Sequence, residues 1–218
     1  MWEGIVLAGG RSERFGRDKA LVEIRGEVLW ERQCRVMALA GAGRVRVACG
    51  GRRLDGGWEM VEDEDENGSN GSNGSNGSNG SNGSNGSYGS YGPLGGLLAG
   101  FRRVAVGGMV LVGAVDMPFV SVQLWRRLML EVRGGVGCVP VCGGERQPLA
   151  AIYPALAVGE LEGVLGAGER RVRVWVERCK ARGLVREVAM PPEWGAGFWN
   201  MNTPSEYAAV RSAGFGAL

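Results

Sequence analysis

Apolar and polar positions along the 218-residue chain follow two periods, one typical of buried strands and one typical of amphipathic helices. The run from Gly4 to Ala8 is short, apolar and followed by Gly9-Gly10, as expected of a buried parallel strand that leads into a loop. The run from Met109 to Val115 is the clearest buried strand in the chain. Further strands are predicted at residues 44–49, 58–61, 137–141, 148–153 and 184–188.

Apolar residues at helical spacing alternate with these strands. A helix is predicted from Leu29 to Leu39, after a small hairpin that turns at Arg25-Gly26, and another begins at Pro93. Ser121 can cap a third helix, and Thr203 to Glu206 has the cap, first-turn proline and capping-box glutamate of a helix start. Other helices are predicted at residues 156–165 and 172–181. The alternation predicts an α/β fold with a mainly parallel central sheet.

One tract departs from both periods. Residues 67–87 are seven consecutive Asn-Gly-Ser triplets, a composition that favours a flexible coil. We predict one domain spanning residues 1–218, interrupted by a flexible low-complexity loop at about 67–90. Because lengthening a surface loop costs little closure entropy, the tract is interpreted as an expanded loop with no function of its own.

Composition excludes several classes of site and partner. The chain has no histidine, which rules out His-ligated zinc, Ser-His-Asp triads and a histidine general base. Its five cysteines are odd in number and lack metal-type spacing, and Cys138 and Cys142 lie in an apolar stretch where we expect buried free thiols. This cysteine usage indicates a reducing, cytoplasmic protein. A net charge of +2 without a concentrated basic face argues against nucleic acid as a partner. The uncharged apolar stretch at residues 104–115 is too short to span a membrane.

The segment from Leu7 to Leu21, with the sequence LAGGRSERFGRDKAL, is the first candidate site. It places a glycine-rich loop at the carboxyl end of a strand, where open α/β sheets bind ligands. Gly9 and Gly10 allow backbone amides to approach an anion closely, as phosphate-binding loops do. Arg14 and Lys19 add positive charge to the same segment. The segment matches neither the Walker A pattern nor the dinucleotide-binding pattern.

Lysine usage singles out Lys19 within this segment. Of the 25 basic residues only Lys19 and Lys180 are lysines, and all the others are arginines. Because nearly all other basic positions are arginine, the lysine at position 19 indicates a specific role for its compact ammonium group. Such a group acts as a point charge, which suits binding to phosphate.

Asp116 is the second candidate, because it directly follows the clearest strand and is therefore expected at the same edge of the sheet as the glycine-rich loop. Magnesium is commonly held by one or two carboxylates together with substrate phosphates and water. The two loops together predict a phosphate site that uses Mg²⁺.

These residues carry a family resemblance. The opening LAGGxSxRFGxDKAL resembles the signature of the molybdenum cofactor guanylyltransferases (MobA-type), which belong to the larger group of nucleoside-triphosphate transferases. Blocks that resemble the same family follow in order at residues 92–96, 116–118, 147–150 and 200–204. The departures are modest, with Phe15 for a usual Met, Val115 for Cys and Gly95 for Ala. The resemblance covers the whole chain except the repeat.

The resemblance implies a Rossmann-like, three-layer nucleotidyltransferase fold. It also implies transfer of GMP from GTP to the terminal phosphate of molybdopterin, with Mg²⁺ as the cofactor and pyrophosphate as the released product. It is also compatible with transient contacts between this protein and other proteins of cofactor biosynthesis or molybdoenzyme maturation. Two alternatives stay open: a related nucleotidyltransferase that uses CTP or another phosphorylated acceptor, and a non-catalytic nucleotide-binding relative.

Site roles follow from the same resemblance. Arg14, Lys19 and Asp116 would be catalytic, and Asp116 would also hold the metal. The nucleotide would be bound by Leu7, Ala8, Gly9, Gly10, Lys19, Asp63 and Asp116. The acceptor or metal site would be lined by Asn200 and Asn202. Asp63 lies among the acidic residues 62–66, directly before the repeat. The position that matches the family's nucleotide-contacting aspartate could therefore lie one or two residues from Asp63.

Overall fold

The computed structural model describes residues 1–9, 15, 18–52, 54–62 and 91–213, with the side chains of residues 212 and 213 left out. The strands of these residues are β1 (Trp2–Leu7), β2 (Glu23–Ile24), β3 (Glu27–Val28), β4 (Arg44–Ala48), β5 (Glu59–Val61), β6 (Met109–Ala114), β7 (Gly137–Cys142), β8 (Glu145–Arg146), β9 (Ala150–Pro154) and β10 (Val185–Ala189). The α-helices are α1 (Leu29–Ala40), α2 (Pro93–Phe101), α3 (Val122–Met129), α4 (Ala157–Gly166), α5 (Val172–Ala181) and α6 (Pro204–Ala213). The predicted Asn-Gly-Ser loop lies outside the described residues, so the interpretation of that tract stays a prediction.

The central sheet confirms the predicted fold class. Its strand order is β10-β7-β9-β6-β1-β4-β5, with β8 paired to β7. Strands β6, β1, β4 and β5 pair in parallel, and β10 pairs in parallel with β7. Strand β9 is antiparallel to both of its neighbours. The short connection from β7 through β8 explains that reversal, because a parallel neighbour would need a crossover of a dozen or more residues.

Helices cover both faces of the sheet and complete three layers. Helix α1 packs with α3 against one face, and α2 packs with α4 and α5 against the other. Gly113 in the central strand β6 permits the first of these contacts. A Cβ there would lie 2.5 Å from Cε of Met37 in α1 and 3.3 Å from the ring of Trp125 in α3. The missing side chain lets both helices approach the strand closely.

Local signals in the sequence agree with several element ends. The side chain of Ser121 accepts a hydrogen bond from the backbone N–H of Leu124, so it caps α3 as predicted. The hairpin of β2 and β3 turns at Arg25 and Gly26, which both adopt positive φ. A 3-10 helix from Pro192 to Phe198 has no counterpart in the sequence analysis. Cys138 is a buried thiol, as predicted, whereas Cys142, for which burial was also predicted, is only half-buried because it lies at the end of β7. Among the helices of the described residues, none combines the length and apolar character that a membrane span requires.

A buried ion pair ties the strands together at one side of the sheet. Arg46 of β4 is 1% exposed, and its guanidinium lies 2.5 Å from the carboxylate of Glu3 in β1. The same guanidinium lies 2.9 Å from the carboxylate of Glu59 in β5. Arg46 therefore links three adjacent parallel strands through its side chain as well as through the backbone ladder.

Replacing Arg46 with methionine is expected to lower the free energy of unfolding by about 3–5 kcal/mol, because Glu3 would stay buried without a partner charge. Urea denaturation measures this loss, and the double variant with Glu3→Leu should recover most of it. Arg35→Met is the matched control, because Arg35 is 52% exposed in its ion pair with Glu27. Such exposed pairs contribute no more than about 1 kcal/mol. Equal losses in the two single variants would contradict this assignment.

Candidate active site

Parallel pairing of β1 with β6 brings the two candidate loops to one edge of the sheet. Leu7, at the end of β1, lies opposite Ala114, at the end of β6. The backbone N–H of Val115 then donates to the carbonyl of Leu7 at 3.2 Å, which holds the two strand ends together. The glycine-rich loop and Asp116 therefore start side by side, as the sequence predicts.

A pocket of about 180 Å³ opens at this edge, and we call it the sheet-edge pocket. Its lining residues are Leu7, Ala8, Gly9, Lys19, Ala20, Pro93, Ala114, Val115, Asp116 and Leu149. Five predicted nucleotide-binding residues are thus in its wall: Leu7, Ala8, Gly9, Lys19 and Asp116. The other predicted nucleotide-site or catalytic residues, Gly10, Arg14 and Asp63, lie outside the described residues, so their roles stay predictions.

Asp116 presents a carboxylate that lacks a full set of partners. Its Oδ1 is buried and accepts no hydrogen bond from the described residues. Burial raises the pKa of this carboxyl, and the nearby ammonium of Lys19 lowers it in part. A buried carboxylate oxygen that accepts no hydrogen bond from the described residues suits a hard cation, which binds oxygen ligands. Across the described residues no group of three or more acidic or thiol side chains gathers, so such a cation would take most of its ligands from elsewhere.

Lys19 faces the same pocket from the opposite loop. Its Nζ donates a hydrogen bond to Oδ1 of Asn202 at 2.8 Å and lies 5.8 Å from the ring centre of Phe15. The structure therefore brings Asn202 to the candidate site through Lys19. Asn200 is exposed and does not line the sheet-edge pocket, so its predicted role has no support from this geometry.

The segment that carries Asn202 is docked against the Asp116 loop. The backbone N–H of Met201 donates to the carbonyl of Asp116 at 2.7 Å. One carboxylate oxygen of Glu206 accepts from the backbone N–H groups of Asn202 and Thr203, at 2.6 and 2.8 Å. These bonds lower the pKa of Glu206. The predicted capping box is thus present, and it orients the residue that contacts Lys19.

Two side chains of helix α1 donate hydrogen bonds to the loop that follows Asp116, a contact that the sequence analysis did not predict. Gln33 donates through Nε2 to the carbonyl of Met117 at 2.7 Å. Arg32 donates through Nη1 to the carbonyl of Val120 at 2.9 Å. Both side chains are buried, and burial lowers the pKa of Arg32 to about 10. Arg32 and Gln33 lie among other polar residues of α1, and their partners are backbone groups more than eighty residues away, so the sequence gives no clear signal for this support.

Comparison with known proteins adds to this geometry. The model of the family described as the MobA-like NTP transferase domain matches residues 4–75 and 84–182. A probable molybdenum cofactor guanylyltransferase of Opitutus terrae is 34% identical over 206 residues, which cover 90% of this chain and 89% of that protein. A molybdenum cofactor guanylyltransferase of Pseudomonas putida is 31% identical over 182 residues, covering 83% of this chain and 84% of its own.

The fold also resembles solved structures. The crystal structure of molybdopterin-guanine dinucleotide biosynthesis protein A from Archaeoglobus fulgidus superimposes with a TM-score of 0.68 and covers 97% of both chains. Sequence identity in that superposition is 23%, so it supports the shared fold and nothing finer.

Replacing Gln33 with methionine tests the support of the Asp116 loop. The variant keeps the side-chain volume but removes one donor from the carbonyl of Met117, which then keeps only the 3.4 Å hydrogen bond from the backbone N–H of Val120. Loss of such a hydrogen bond is expected to cost about 1 kcal/mol. In a domain of this size that loss lowers Tm by several degrees, roughly 2–4 °C for each kcal/mol. The exposed Gln123 on α3 offers a matched control, Gln123→Met, which should leave Tm nearly unchanged. Equal melting temperatures for the two variants would count against the support role.

Proposed function

This chain belongs to the family of MobA-like NTP transferase domains, and on that premise we propose that it transfers GMP from GTP to the terminal phosphate of molybdopterin. The names of its relatives in Opitutus terrae and Pseudomonas putida support this activity. The observation that carries the proposal is the placement of Lys19 and Asp116 in the wall of one pocket at the carboxyl edge of the sheet. Open α/β sheets bind their ligands at this edge.

Leu7, Ala8 and Gly9 supply the part of the sheet-edge pocket that suits a nucleoside. The small residues Ala8 and Gly9 allow a flat base and ribose to approach the strand end closely. Pro93, at the start of α2, also lines the pocket. The N-terminus of that helix adds favourable potential for anions near the pocket.

Asp116 is the residue that would hold Mg²⁺. Its buried Oδ1, which has no hydrogen-bond donor in the described part of the chain, fits a hard cation whose remaining ligands would be phosphate oxygens and water. When bound, the metal supplies Lewis-acid stabilisation of charge on the phosphates. The ammonium of Lys19 adds a second positive charge on the same triphosphate.

The proposed reaction needs positioning and charge stabilisation rather than proton abstraction. An oxygen of the acceptor phosphate forms a bond to the α-phosphorus of GTP, and the bond from that phosphorus to the β-bridging oxygen breaks, releasing pyrophosphate. Because the attacking oxygen is already anionic, no general base is required, which agrees with a chain that contains no histidine. Lys19 stabilises the charge that develops on the phosphates, and the pocket wall holds the reacting groups in line.

Asn202 is proposed to position Lys19 while the site awaits a nucleotide, through the hydrogen bond from Nζ to Oδ1. The molybdopterin substrate would enter beside the segment that carries Asn202. In this segment the backbone N–H of Met201 donates to the carbonyl of Asp116. Transient contacts with other proteins of cofactor biosynthesis or molybdoenzyme maturation stay a prediction.

Nucleotide choice is tested by a thermal-shift panel of GTP, CTP, ATP and UTP, each with Mg²⁺. GTP is expected to give the largest shift. A ligand at about 100 times its Kd stabilises the folded state by about 2.7 kcal/mol. For a domain of this size that is roughly 5–10 °C. A larger shift with CTP would replace the guanylyl assignment, and equal shifts for all four would leave only a general triphosphate site.

Lys19→Ala and Asp116→Asn are each expected to lower the rate of pyrophosphate release with GTP and molybdopterin by at least about 10²-fold. That is the cost of removing one electrostatic stabiliser of a transition state, roughly 2.7–4 kcal/mol. Lys180→Ala is the matched control, because Lys180 lies on α5 and pairs with Glu187 at 2.5 Å. Near-normal turnover in Asp116→Asn would remove the metal assignment.

A further inference from the structure

We propose that Arg52 is a positioning residue that ties both ends of the glycine-rich loop together and thereby holds Lys19 at the pocket. The proposal rests on the proposed function, because it concerns how the same pocket is kept ready for a triphosphate. Arg52 follows β4 in a turn whose Gly50 and Gly51 both adopt positive φ, at 66° and 76°. No pattern in the sequence indicates a role for it.

The guanidinium of Arg52 donates to three separate acceptors. Its Nη2 donates to the carbonyl of Ala8, and its Nη1 donates to the carboxylate of Asp18. Its Nε donates to the carbonyl of Cys49 at 2.9 Å, which fixes the guanidinium to its own turn. The side chain is only 16% exposed, so these bonds are largely shielded from competing water.

Two of these acceptors lie at opposite ends of the glycine-rich loop. Ala8 follows β1, and its backbone N–H also donates to the carbonyl of Ala48 at 2.8 Å. Asp18 immediately precedes Lys19, and its other carboxylate oxygen accepts from the backbone N–H of Ala20 at 3.0 Å. Arg52 therefore fixes the entry of the loop and its exit to a single rigid group at the end of β4.

This arrangement determines where Lys19 can reach. Asp18 shapes the turn that carries Lys19, and Arg52 holds Asp18 against the sheet edge. Without that link the turn would keep the hydrogen bond from the backbone N–H of Trp30 to the carbonyl of Ala20, but it would lose its direct connection to the ends of β1 and β4. Misplacing a catalytic group by about 1 Å can cost on the order of 10²-fold in rate.

Arginine suits this role better than lysine, because its planar fork donates in several fixed directions at once. The positive charge of Arg52 is matched by Asp18, and Arg52 does not line the sheet-edge pocket in the described part of the chain. Its geometry points to action through Lys19 rather than through direct contact with phosphate.

Hydrogen exchange tests the positioning role without any substrate. In Arg52→Lys the amide of Ala20 should exchange roughly tenfold faster, corresponding to about 1.4 kcal/mol of lost local protection. Amides of the central strand β6 should keep their wild-type rates. Arg35→Lys, on the exposed surface of α1, is the control and should change neither. Unchanged exchange at Ala20 would overturn the proposal.

A double-mutant cycle with Lys19 separates the positioning role from direct contact and from a general structural role. Arg52→Lys should lower kcat/KM for GTP by about 10- to 100-fold in the wild-type background. In the Lys19→Ala background the same change should cost less than about twofold, the non-additivity expected of residues that act as one unit. Additive losses would overturn the proposal. If the unmodified protein transferred no GMP, the proposed function would fail alone, because exchange at Ala20 would still decide the role of Arg52.

Discussion

The parallel register between β1 and β6 is the constraint on which the candidate site depends. It places Leu7 beside Ala114, so that two loops separated by about a hundred residues of sequence begin at the same edge of the sheet. Neither loop could form the pocket alone, because one supplies small residues and a cation and the other supplies the carboxylate. The buried strands that keep this register are nearly all apolar, and their hydrophobic burial is what makes the edge rigid.

A rigid edge lets the fold accept a group that is unfavourable for stability. The buried Oδ1 of Asp116 has no hydrogen-bond donor among the described residues, and burial of an incompletely paired carboxyl raises its pKa. Lys19 offsets part of this cost by charge. Gln33 and the backbone of Met201 fix the chain around Asp116 from two sides. The loop therefore keeps its carboxylate directed at the pocket instead of turning it towards solvent.

The sequence predicted the parts of this arrangement that local chemistry determines. Lys19 was found because it is one of two lysines in the chain and belongs to the glycine-rich segment, and Asp116 was found because it directly follows the clearest strand. The capping box of Thr203 and Glu206 was found because its spacing is a local rule. The supporting contacts of Gln33 were not found, because its partner is a backbone carbonyl 84 residues away, and a carbonyl leaves no trace in residue identity.

Arg52 and Lys19 show why two cations near one loop are of different types. Arg52 donates hydrogen bonds in three directions to groups of the protein itself. Because the guanidinium is planar and rigid, these hydrogen bonds form together only while all three acceptors keep their positions. Lys19 instead donates a hydrogen bond of 2.8 Å from its ammonium to Asn202, at the wall of the pocket. A compact ammonium on a flexible stem can exchange that amide oxygen for a phosphate oxygen at little cost in geometry. The chain uses lysine at only two of its 25 basic positions, and one of them is the place where a charge has to change partners during the proposed reaction.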